Sequence, residues 1–216
     1  MGTEKSMNVK TFAVACMLAS GLTATALAQT PNSRLPTIPL DKYSDEQKKA
    51  AAEFETVRKN PPFGPFIPLM HSPQVMNQAR AMGDYLRFNS AIGNTLSELV
   101  ICITAREWSQ DYEWLVHAPI AEKAGIKKEI VEAIQDGRRP VGMSADEEIV
   151  YDFSMELLRN KRVSDATFER ADKRFGKKGV VDLVGIHGYY TLLAMQMNVA
   201  RFEPDRPMPK LPRFPN

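Results

Sequence analysis

Cysteine is nearly absent from this chain: 216 residues carry two, Cys16 and Cys102. No Cys-x-x-Cys pair exists, and with Cys16 in the N-terminal leader read below, Cys102 has no partner for an intrachain disulfide, so the fold must hold by its core. Charge of one sign is also missing. Lys and Arg total 28 against 26 Asp and Glu, a formal +2, and the basic residues are scattered, which leaves no electrostatic footprint for nucleic acid. No apolar–polar alternation marks a strand, and no internal repeat stands out. Beyond the first 28 residues, no apolar run approaches the roughly 20 residues needed to cross a bilayer. What remains is an ordinary composition, 44% apolar and 25% charged, in a chain long enough for one domain with its own core.

The N-terminus reads as an export signal. Lys5 and Lys10 precede "TFAVACMLASGLTATALA", an apolar, small-residue stretch ending in Ala26-Leu27-Ala28. A positive start, a short apolar segment and an A-x-A site are what signal peptidase requires. Translation from either Met1 or Met7 leaves the signal complete. The expectation is a signal peptide over 1–28, a mature single domain over 29–216, and a periplasmic or secreted protein not held in a membrane. Cys16 falls within the leader, so Cys102 is the sole cysteine of the mature form.

The mature chain reads as helices between proline-rich arms. "QTPNSRLPTIPL" is an extended arm, and Ser44 caps a charged helix beginning at Asp45. The prolines of "PPFGPFIPL" predict a loop. Ser72 and Pro73 open a helix through "SPQVMNQARAMGDYLRFNS". Leu96, Leu99, Val100 and Ile103 recur at helical spacing within Thr95 to Trp108. Ser109 is predicted to cap a second helix from Gln110 to Ala124, stopped by Gly125. A short helix ends at Gly137. Ser144 and Glu147 form a capping box for the next. Ser164 opens another helix, stopped by Gly176. The last, "GVVDLVGIHGYYTLLAMQMNVA", is apolar nearly all round and is expected in the middle of the structure or at a subunit interface. The proline-rich tail that follows is expected to run extended, and both arms to wrap onto a partner subunit. The fold class is all-α.

Glu113 and His117 stand at i and i+4, so they share one helix face. Glu98 lies on the preceding helix, and a tight connection at Ser109 folds that helix back onto the Glu113/His117 face. Two acids and an imidazole converging in a core acquire divergent proton affinities, so one group holds a proton while another accepts it. The alternative is an i,i+4 pair on a solvated surface, with Glu98 in an ordinary intrahelical pair.

Three stretches, "SELVICITAREWSQDYEWLVHAPIAEKAGI", "PFIPLMHSPQVM" and "VSDATFERADKRFGKKGVVDLVGIHGYY", resemble the carboxymuconolactone decarboxylase family and the related alkyl hydroperoxidase D-like proteins. The resemblance runs from about Arg34 to Pro204. It implies the alkyl hydroperoxidase D-like helical domain and a trimeric or hexameric homo-oligomer. The peroxidase branch carries a glutamate, then a Cys-x-x-Cys pair, then a histidine. Glu98 and His117 match, but Gln110 and Glu113 stand where the cysteines would be. Peroxide reduction by that route needs an attacking thiolate and a resolving thiol, which these two cannot supply. The decarboxylase branch lacks the cysteines and needs no redox cofactor. The resemblance therefore implies a lyase acting on a small, aromatic-derived acid or lactone, as in aromatic compound catabolism. His117 is the expected general acid/base, Glu98 its partner carboxylate, and Glu113 the residue that orients it. An oxygenase or oxidase on the same scaffold and a non-catalytic small-molecule-binding protein are the alternatives.

Four further residues are candidates for the substrate pocket: His71 before a helix start, His187 and Tyr190 on the last helix, and Arg106 as a bidentate partner for a carboxylate. No cofactor is expected. A transition metal held by His71, His117, His187 and Glu98 would suit those ligand types, but no compact ligand spacing supports it.

Overall fold

The computed structural model describes residues 33–204 and 208–214; the predicted signal segment, residues 1–28, lies outside them. Eight α-helices and one 3₁₀ turn make up the described secondary structure: α1 (Asp45–Arg58), α2 (Phe66–Leu69), α3 (Pro73–Phe88), α4 (Asn94–Glu107), α5 (Asp111–Lys123), α6 (Lys128–Gln135), α7 (Ala145–Asn160) and α8 (Asp165–Ala200). The all-α expectation holds among the described residues.

Local chemistry sets most of the helix boundaries. The Ser44 hydroxyl accepts the amide of Gln47, whose side chain returns to the Ser44 amide. Ser144 and Glu147 do the same for α7. Each box satisfies two amides that have no intrahelical carbonyl. Ser164 caps α8 by accepting the Thr167 amide. Gly176 interrupts α8 with φ 68° and ψ 173°, a backbone state essentially reserved for glycine, and so divides it into a polar first segment and an apolar second one.

Three local expectations are corrected. "PPFGPFIPL" is not all loop: Phe66–Leu69 forms the short α2. Pro65 and Pro68 are tolerated because amides at a helix start have no carbonyl to bond in any case. Ser109 does not cap α5. It adopts φ 46° in the connection, and Gln110 is the cap, its side chain accepting the Tyr112 amide. Ser72 precedes α3 as expected, but its side chain makes no capping bond.

The helix enclosed on all sides is α4, packed by α3, α5, α6, α7 and α8. Every residue from Ser97 to Arg106 is buried, the acid Glu98 included. Fully burying an Ile or Leu side chain stabilises the fold by about 1.5–3 kcal/mol, so Leu99, Ile101 and Ile103, each at most 1% exposed, anchor this helix. The apolar second segment of α8 is not central. One side carries the core residues Leu183, Ile186, Leu193 and Met197, while Val181, Val184, Met195 and Val199 face outward, 68%, 44%, 40% and 59% exposed.

The described parts of both arms make contacts within their own chain. The Arg34 amide donates to the carbonyl of Ala200 at 2.8 Å. The Leu211 amide donates to Asp111, and Arg213 clamps the same carboxylate. Phe214 packs over the Arg106 guanidinium, 3.6 Å from charge centre to ring centroid.

Candidate active site

The connection between α4 and α5 turns tightly through Trp108, Ser109 and Gln110. The Gln110 amide bonds back to Ala105, and the left-handed Ser109 reverses the chain. The two helices thereby lie against each other, with Glu98 opposite the face that carries Glu113 and His117.

His117 is held between the two acids. Its Nδ1 lies 2.6 Å from one oxygen of Glu98, and its Nε2 lies 3.4 Å from one oxygen of Glu113. All three residues are nearly sealed from water, with exposures of 3% for His117, 1% for Glu98 and 3% for Glu113. The edge of the His117 ring meets Tyr190 at 5.1 Å between centroids, and Tyr190 meets Tyr189 in the same way at 5.0 Å. Arg87, in the last turn of α3, reaches the second oxygen of Glu98 at 3.7 Å.

Burial alone would drive the imidazole toward its neutral form. The hydrogen bonds and charges of Glu113 and Glu98 outweigh it and hold the His117 pKa above its ordinary value. The Tyr190 pKa is also raised, there by burial itself, which keeps the phenol protonated. One oxygen of Glu113, Oε1, is buried without a hydrogen-bond partner. An orphan acceptor is costly in a core. Of the two acids, Glu98 lies closer to the ring, at 2.6 Å against 3.4 Å for Glu113.

Glu98, Glu113, His117 and Tyr190 are brought together; the other candidates are not. Both ring nitrogens of His187 are occupied at 2.8 Å, by the hydroxyls of Thr104 on α4 and Ser154 on α7. Total burial lowers its pKa to about 3, so it is a neutral core residue that bonds three helices together. His71 sits on the surface with Nε2 against the carbonyl of Pro36. Arg106 is spent on the carbonyl of Gln135 and on Phe214, away from the acids. The histidines therefore do not converge, and among the described residues no group of three or more His, Cys, Asp and Glu is arranged to hold a metal. Cys102 is buried, and burial, with the charges of Glu98 and Glu122 adding to it, pushes its thiol far above the range in which a thiolate forms.

Sequence reasoning missed Arg87 and Tyr189. The available signal for Arg87 was its position in the last turn of α3, one short loop before α4, where a cation can reach back toward a buried carboxylate.

No protein-family model and no curated protein sequence matches the chain. Among solved structures, a crystal structure of the "alkylhydroperoxidase AhpD core", an uncharacterized peroxidase-related protein from Ralstonia eutropha JMP134, superposes with a TM-score of 0.63 at 18% sequence identity. The match covers 81% of this chain and 93% of that one. The chain therefore has the alkylhydroperoxidase D-like fold.

Proposed function

We propose that this protein is an exported enzyme that uses the Glu98–His117–Glu113 triad as an acid–base unit on a small, aromatic-derived carboxylic acid or lactone, in a decarboxylase-like reaction. The observation that carries the reading is one imidazole held between two buried carboxylates, one of which keeps a free oxygen. An ion cluster serving stability alone gains nothing from an orphaned acceptor in a dry site.

In such a reaction the bond to the leaving carboxylate breaks, carbon dioxide departs, and the electron pair moves into a conjugated carbonyl. The resulting carbanion then takes a proton at carbon. Glu98 fixes the ring through Nδ1 and stabilises its charged form. His117 holds the proton, and Glu113, bonded to Nε2 on one oxygen and open on the other, passes it between ring and substrate. General acid–base catalysis of this kind contributes about 10²–10⁴-fold in rate. The dry surroundings strengthen each of these interactions. No cofactor enters the scheme.

The same proposal includes a homo-oligomer, a trimer or hexamer, assembled through the outward apolar face of α8, and residence in the periplasm or outside the cell.

The test is a panel of aromatic-derived acids and unsaturated lactones, with carbon dioxide release and oxygen consumption followed together. Carbon dioxide release that His117→Ala lowers by about 10²-fold or more supports the reading. Turnover unchanged in His117→Ala would sink it, and stoichiometric oxygen uptake would instead identify an oxygenase.

A further inference from the structure

With its ring charged, the triad holds two carboxylates and one imidazolium. One negative charge is then in excess in a site sealed from water, where an uncompensated charge is costly. Among the described residues, the elements packed around the triad present few groups that offset it. The buried residues of α6 are all apolar. Glu147 of α7 is taken up by its own helix cap. Cys102 of α4 stays a neutral thiol, and Glu122 of α5, whose charge acts on that thiol, is another acid. From α8 come the neutral His187 and the phenols of Tyr189 and Tyr190, which burial keeps protonated. From α1 and α3 come three arginines, but Asp84 takes Arg58 at 2.7 Å and Arg80 at 3.0 Å. The third, Arg87, pairs with Glu98.

Arg87 is placed as a charge partner rather than a proton donor. Its Nη2 stands 3.7 Å from Oε1 of Glu98, too far for a hydrogen bond but within reach of an ion pair. The other oxygen of that carboxylate, Oε2, meets Nδ1 of His117 at 2.6 Å. The Arg87 side chain is 22% exposed against 1% for Glu98, so the guanidinium reaches inward from α3 toward a buried acid. Its Nε is buried without a hydrogen-bond partner, a cost that a guanidinium turned to solvent would avoid. Attraction to the acids offsets that cost. The same charge is felt at Tyr189 and Tyr190, beside the His117 ring.

We infer that Arg87 is a positioning residue of the triad: acting through Glu98, its charge balances the surplus carboxylate and keeps Glu98 aimed at the ring of His117. Its bearing on catalysis rests on the proposed function; the charge coupling stands on the geometry.

The experiment is nitrogen NMR of the His117 ring across pH in the intact protein. Arg87→Met keeps the stem and removes the charge, whereas Arg87→Lys keeps the charge. Without the cation the acids favour the imidazolium more strongly. The His117 midpoint should therefore rise by about half a pH unit or more in Arg87→Met and stay near the wild-type value in Arg87→Lys. Arg87→Gln, which retains a polar donor, should show the same rise and is read in place of Arg87→Met if that variant does not fold. In a Glu98→Gln background, Arg87→Met should move the midpoint much less, because the coupling runs through the carboxylate. A side chain that only fills space would leave the midpoint where it is. An unmoved or lowered midpoint in the charge-free variants, an equal rise in Arg87→Lys, or an undiminished rise in the Glu98→Gln background would each overturn the inference. The expected pattern in a protein that turns over no acid upholds Arg87 and overturns the catalytic reading alone.

Discussion

His117 and His187 are both buried histidines, yet their surroundings drive them in opposite directions. Two carboxylates face His117, and its pKa stands above the ordinary 6.5. Its charged form therefore stabilises the fold fully below about pH 6.5, the unfolded value, and that contribution fades as pH rises through the raised folded value. Only hydroxyls face His187, and its folded pKa is about 3. The unfolded chain binds the extra proton first, so stability declines as pH falls from about 6.5 toward 3. Denaturant titrations across pH should show the difference between wild type and His117→Asn shrinking as pH rises. They should also show a shallower acid-side decline in His187→Gln, with a neutral-pH cost of about 1–3 kcal/mol from the unmet hydroxyls. Glu98→Ala breaks a pair whose members are 1% and 4% exposed, and the stranded imidazole should cost about 3–5 kcal/mol, read as a lowered denaturation midpoint.

At the scale of elements, the α4–α5 hairpin makes the site and the interruption at Gly176 makes α8. Gly176→Ala places a Cβ at φ 68°, ψ 173°, which should cost about 1–3 kcal/mol in thermal or chemical unfolding while leaving turnover intact. Much of this level was legible in the sequence, because helical period and capping chemistry are local. Glu113 and His117 share a face through a spacing of four, and Glu98 joins them once a short connection forces the hairpin. What was not legible depends on which neighbour a helix face meets. His187 and Tyr190 are three residues apart on α8, yet one meets Thr104 and Ser154 and the other meets His117. Arg106 looked free to bind a carboxylate only because its partners, Gln135 and Phe214, are remote in sequence. Ser109 was read as a cap by residue type, while the turn needed it in a left-handed state and left the capping to Gln110.

At the scale of the molecule, Val181, Val184, Met195 and Val199 form an apolar stripe on α8 that the described residues leave exposed. A subunit interface there should be broken by Val184→Asp, and light scattering is expected to show the mass of the assembled wild type falling to that of one chain. The site depends on the whole molecule as well, since α3, α4, α5 and α8 each bring a residue to it and only packing of the full domain keeps it dry. The most direct measurement is nitrogen NMR of the histidine rings across pH, with the three signals assigned from the variants at His71, His117 and His187. The account predicts that His117 titrates above the ordinary histidine value and moves back down in Glu98→Gln and Glu113→Gln. A His117 midpoint at or below the ordinary value, unmoved by either substitution, would contradict it.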